Sequence, residues 1–174
     1  IFYETCNIFY RRQIFLEVGG ISRDFIDKFY GEDTDLGWRV RNSSYQFTFE
    51  KGALVHHEVF QVSVWEWLKE PLFFVNLPLL VKVHPSIRDY MFCRYFLSRE
   101  SAFFNLVVLA FLFSLFSPFC MLLALPYLIE RYQSGSRMPN RQARLLRIAG
   151  GLPRGLITWF ALLKGSISNQ SLLL

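Results

Sequence analysis

At 174 residues the chain is long enough for one domain with a real hydrophobic core. Hydrophobic residues make up 52% and aromatics 18%, a balance above that of ordinary soluble proteins and one that leans towards lipid contact. The formal charge is +5, but Arg88, Arg94 and Arg99 precede the most apolar stretch and Arg131, Arg137, Arg141, Arg144 and Arg147 follow it, so the basic residues rim a lipid-like segment and nucleic acid is set aside as a partner. Cys6, Cys93 and Cys120 are odd in number and far apart, with no C-x-x-C pair. That speaks against a disulfide framework or a cysteine-ligated zinc site and for a reducing compartment. A start at Ile1 instead of Met reads as a piece of something longer, and no signal peptide is visible.

Residues 1–66 mix apolar, charged and turn residues like an α/β domain. Arg11 to Val18 fits a short helix closed by Gly19-Gly20, where glycine tolerates a left-handed cap. Asp33 to Arg41 fits a second helix, opened by Glu32, Asp33 and Asp35, which suit a helix N-terminus. After Asn42-Ser43-Ser44, the run Tyr45 to Phe49 alternates with period two and predicts a strand with one buried face. Lys51-Gly52 predicts a turn, and Ala53 to His57 a second strand.

Residues 67–101 form an amphipathic zone. Trp65, Trp67, Phe73 and Phe74, with Lys69 and Lys82 among them, suit either helices at a lipid interface or ordinary helices packed on the domain. Ala102 to Ile129 contains no charged residue. Ser117-Pro118 and Pro126 break the run, and both flanks are basic, so 102–130 predicts a membrane-embedded hairpin that returns to its starting side. The run is also long enough to cross as one tilted transmembrane helix, but the proline breaks and the two basic flanks argue against that. A buried pair of core helices is the bland reading. Residues 131–174 predict a basic linker, a short helix over Pro153 to Leu163 and a tail.

Three clusters can carry chemistry. Glu32, Asp33 and Asp35 repel one another unless a cation or a proton-bearing ligand relieves them, and one such carboxylate could serve as a general base. The alternative is an acidic turn that only stabilises its helix dipole. His56-His57-Glu58 follows a strand whose alternation puts His57 on the face of Ala53 and Val55. At most one of the histidines reaches a given pocket, either to complete a divalent metal site or as a hydrogen-bonded structural residue. Asn7 with Arg11-Arg12 and Val18-Gly19-Gly20 suits a diphosphate or an acidic acceptor, or else a solvated helix face.

In order, Asn7…Arg11-Arg12…Val18-Gly19-Gly20…Phe25…Gly31-Glu32-Asp33-x-Asp35-Leu36-x-x-Arg39…Ala53-x-Val55-x-His57 resembles the C-terminal half of family-2 glycosyltransferases of the GT-A fold, over roughly residues 3–63. The resemblance is weaker through Leu125-Pro126-Tyr127-Leu128 and Gly165-Ser166-Ile167. It implies an α/β chain: the later part of a GT-A nucleotide-sugar transferase domain, then the apolar hairpin and a short helix. It also implies an inverting sugar transfer from a nucleotide-sugar donor to the hydroxyl of a glycan or a lipid-linked acceptor.

Asp33 then matches the catalytic base, Glu32 supports it or orients the acceptor, and His57 matches a ligand of the Mg²⁺ or Mn²⁺ that bridges the donor diphosphate. Asn7, Arg11, Arg12, Asp35, Trp38 and Arg39 fall to donor or acceptor binding, although Asp35 and Arg39, four apart, could instead pair structurally. The implied place is the cell membrane, in contact with membrane lipid, with the catalytic part on the cytoplasmic side. The family's nucleotide-binding strands and Asp-x-Asp motif do not precede Asn7, so these residues alone are expected to be inactive. A non-catalytic membrane adaptor is the other reading.

Overall fold

The structure is a computed structural model that describes every residue except positions 1, 2, 4, 29, 57, 59, 60 and 139. Helix α1 (Arg12–Glu17) ends as its sequence dictates. Gly19 and Gly20 take φ of 81° and 62°, and Gly20 N–H donates back to Phe15 O at 2.8 Å. Helix α2 (Glu32–Asn42) starts from Gly31 at φ 116°, where a side chain would press on the Phe25 ring at 3.2 Å.

The rest of the chain is helix after helix. A reciprocal Ser63–Glu66 cap opens α3 (Val64–Lys69), and a 3₁₀ segment over Glu70–Asn76 leads into α4 (Leu77–Val83). Another 3₁₀ segment, Pro85–Tyr90, precedes α5 (Arg99–Phe113), which is capped by Ser98. After a 3₁₀ segment over Pro118–Ala124 come α6 (Leu125–Ser136), α7 (Arg141–Ala149), opened by the Asn140 side chain, and α8 (Gly151–Asn169).

Helix α8 organises the packing, lying against the 70–76 segment, α3, α4 and α5. Leu77, Leu80, Ile87 and Leu162 are fully buried with Phe25 and Trp38 in one core. Each buried leucine or isoleucine contributes on the order of 1.5–3 kcal/mol. The fit is close at Gly165, where a side-chain carbon would stand 2.1 Å from Val75 O.

Several expectations are corrected. The chain is not α/β and not a GT-A domain: among the described residues there is no strand, only an isolated bridge between Phe92 and Phe96. Residues 45–50 are irregular and exposed, with Phe47 and Phe49 open to solvent. Alternating residues become a strand only where a neighbouring strand takes up their N–H and C=O groups, and among the described residues no strand pairs with them.

The apolar run does not form a membrane-spanning hairpin, and the expected transmembrane helix is absent. Among the described residues no helix is long and apolar enough to cross a membrane. Pro118 and Pro126 divide the run by opening new helical segments, which proline's missing N–H allows at a first turn. The last zone is not a linker with a short helix. Helices α6 and α7 occupy its first part, and α8 runs 19 residues, well beyond Leu163. Much of the 67–101 zone is core, because Leu77, Leu80 and Val81 face α8 while Trp65 and Leu72 stay exposed.

Candidate functional site

Glu32, Asp33 and Asp35 all lie in the first turn of α2, and the helix sends them different ways. Asp35 faces inward and is 1% exposed. Its Oδ2 accepts from Arg39 Nε at 2.9 Å, and its Oδ1 lies 2.8 Å from Nε2 of His84, itself 5% exposed. A carboxylate only accepts, so Nε2 carries the proton in that bond. Burial alone would push the Asp35 carboxyl up, but the hydrogen bonds from His84 and Arg39 outweigh it and hold the group below its ordinary value. Arg39 also donates to Val18 O, and to Gly20 O at 2.6 Å, so one guanidinium fastens the glycine turn to α2.

Glu32 and Asp33 remain half-buried at the positive end of α2. Asp33 Oδ1 accepts the Thr34 N–H at 2.7 Å. Tyr10 stands close by: its phenol is raised first by burial and then by the Asp33 carboxylate. Two polar atoms of this corner, Glu32 Oε2 and Tyr10 Oη, are buried with no hydrogen-bond partner among the described residues. Unsatisfied buried groups are uncommon in folded proteins and often mark sites of function.

The other sequence candidates fall elsewhere. Asn7, Arg11 and Arg12 are exposed, and Asn7 Nδ2 donates to Ala53 O at 2.7 Å, tying the start of the chain to the 53–56 stretch. Trp38 lies in the core between Tyr3 and His84, away from solvent. Asp35 and Arg39 form the i, i+4 pair that their spacing suggested, at 2.8 Å, and their side chains are committed to the fold. His57 lies outside the described residues, while His56 is exposed. Among the described residues no group of three His, Cys, Asp or Glu side chains could hold a metal. With Asp35 taken by Arg39 and His84, only Glu32 and Asp33 of the acidic turn could face a cation. Tyr10 and His84 carried no local sequence signal, since each meets this corner through tertiary packing.

A second feature is an apolar prong made by α5, the 118–124 segment folded back along it, and the start of α6. Leu115 and Phe116 are 87% and 85% exposed, and Phe111, Phe119 and Leu122 are exposed beside them. Its tip hydrogen-bonds partly to itself. Ser114 Oγ donates to Phe111 O, the Phe116 and Ser117 N–H groups to Phe113 O, and the Cys120 N–H to Ser117 O. Charge returns only at the root, where Arg99 pairs with Glu130 at 2.9 Å and Arg131 with Glu100.

Family models, curated proteins and solved structures give no match to this chain.

Proposed function

We propose that this chain supplies the acceptor side of a glycosyltransferase that moves a sugar from a nucleotide-sugar donor to an acceptor hydroxyl at a lipid surface. The observation that carries this reading is the acidic corner: Glu32 Oε2 and Tyr10 Oη, buried without partners, beside Asp33. An acceptor hydroxyl donates to one such oxygen and accepts from the phenol, which would orient it towards Asp33. In that role Asp33 takes the hydroxyl proton as the oxygen attacks the anomeric carbon, with inversion and departure of the nucleotide diphosphate. The Arg39–Asp35–His84 network fixes the turn from behind and touches no substrate. A divalent cation, Mg²⁺ or Mn²⁺, would lower the charge on the leaving diphosphate, and His57 is the residue of this chain proposed to meet it. Donor binding requires a nucleotide-binding unit in addition to these residues.

The lipid surface is supported by the prong. Helix α5 has 15 residues, and at about 1.5 Å each it reaches about 22 Å, short of the ~30 Å hydrocarbon core. Exposed aromatics at the tip and charges confined to the root suit insertion into one leaflet. The other face of the root carries exposed Arg137, Arg141 and Arg144, which favour anionic headgroups.

The test uses membranes from cells expressing the complete gene product, supplied with UDP-, GDP- and TDP-sugars, either metal and candidate acceptors. Metal-dependent nucleotide release that falls by about 10²–10⁴-fold in Asp33→Asn is expected. Release from no donor by a folded protein, or full activity in Asp33→Asn, would sink the transferase reading and leave a lipid-bound adaptor.

A further inference from the structure

At the root of the prong, between α3, α5, α6 and α8, lies a cavity of about 210 Å³. Its walls include three guanidiniums, Arg131, Arg147 and Arg154, and one carboxylate, Glu100. Arg131 is the unusual member, being 5% exposed. It donates to Glu100 and to Arg147 O, while its Nε is buried with no partner. The fold makes room for this group deliberately, for a side chain at Gly151 would stand 2.3 Å from that same Nε. Arg147 uses its own Nε on Ser134 Oγ at 2.9 Å, and its two terminal nitrogens have no hydrogen bond among the described residues. Arg154 reaches out of the cavity to Glu70 at 2.6 Å and to Trp67 O.

The site therefore holds more positive than negative charge, in part desolvated, with unused donors. A buried arginine with a spare donor costs stability unless an anion completes it. Guanidiniums grouped in this way suit the oxygens of a phosphate, which they can meet with paired, charge-assisted bonds. The remaining walls mix the aromatic Trp67, Trp159, Phe104 and Tyr127 with smaller residues such as Ser98, Ser101 and Thr158. Phe104 and Tyr127 stand on the arms of the prong. The volume is below the ~300 Å³ lower end for whole drug-sized ligands and suits a headgroup whose apolar remainder leaves along the prong.

We propose that this cavity binds a phosphate monoester carried on an apolar chain, with Arg131 and Arg147 on the phosphate and the aromatic wall on the first carbons. The inference rests on residues remote in sequence from the acidic corner, and it stands if the transferase reading falls.

Trp67 and Trp159 line the cavity, so their fluorescence reports occupancy. The chain is titrated with inorganic phosphate, with hexyl phosphate and with hexanol. Saturable binding of hexyl phosphate and none of hexanol is expected. An affinity for hexyl phosphate at least tenfold above that for inorganic phosphate assigns the site to an amphiphile, and equal affinities assign it to free phosphate. Arg147→Gln should weaken hexyl phosphate binding about tenfold or more, Arg147→Lys less, and Arg23→Gln, exposed and outside the cavity lining, not at all. No saturable response to either phosphate by the unaltered chain overturns the proposal whether or not the variants fold. So does equal weakening by Arg147→Gln and Arg23→Gln.

Discussion

Replacing Asp35 with Asn keeps the shape of the side chain and removes its charge, so it isolates the electrostatic part of the Arg39–Asp35–His84 network. Asp35 is 1% exposed and receives hydrogen bonds from two cationic or proton-bearing side chains. Breaking a buried pair from one side costs about 3–5 kcal/mol. The Arg39 side chain is 23% exposed, so water recovers part of its solvation and about 3 kcal/mol is the expected loss. Against a typical total of about 5–15 kcal/mol this is a large fraction. For a chain of this size it lowers the melting temperature by roughly 6–12 °C.

The pH dependence gives the mechanism its own signature. The Asp35 carboxyl is held below its ordinary value in the folded chain, so its contribution is complete above the unfolded pKa of about 3.9 and is lost as pH falls through the folded one. Urea unfolding followed by circular dichroism should therefore show the full gap between parent and Asp35→Asn at pH 7 and a shrinking gap below pH 4. A gap under about 0.5 kcal/mol at pH 7, the size expected of an ordinary surface change, would refute the reasoning. So would a gap that stayed constant down to pH 3.

Gly165→Ala tests the close seat of α8. Inside a helix this change ordinarily gains up to about 1 kcal/mol, but Val75 O stands 2.1 Å from the new carbon and is backbone, unable to swing aside. A net loss of about 1–3 kcal/mol is expected in thermal melts, and a more stable variant would show that α8 is not held against the 70–76 segment. Leu115→Asp with Phe116→Asp tests the prong. Stability should move by no more than about 0.5 kcal/mol, while sedimentation with anionic vesicles should fall at least about a hundredfold in partition constant. Vesicle binding equal to the parent's would remove the prong as the lipid contact.

What was legible in the sequence was local. The Gly19-Gly20 stop and the acidic opening of α2 are written within a few residues of where they act, and both elements formed within one or two positions of expectation. The Asp35–Arg39 pair follows from helical spacing in the same way. Tyr45 to Phe49 failed because alternation describes a surface, and a strand also needs a neighbouring edge that those residues do not carry. Helix α8 was read short, over Pro153 to Leu163, whereas it runs on through Gly165, a point of close approach between backbones. Tyr10 and His84 were invisible beforehand, since nothing beside them in sequence names their partner. Two of the three cavity arginines, Arg131 and Arg147, sat in plain view in the basic flank, but only folding separates them from the solvated Arg141 and Arg144.

The bond between Asp35 and His84 closes an interval of 49 residues. Helix α2 can begin to form from its own turn signals, yet its acidic end is oriented only once α3, the 70–76 segment and α4 have arrived behind it. Closing so long an interval costs entropy before any contact returns it, which places this step late in the order of assembly. The corner that holds Glu32 and Asp33 is thus completed only once the stretch that carries His84 is in place. A nascent chain carries the helix well before it carries the site.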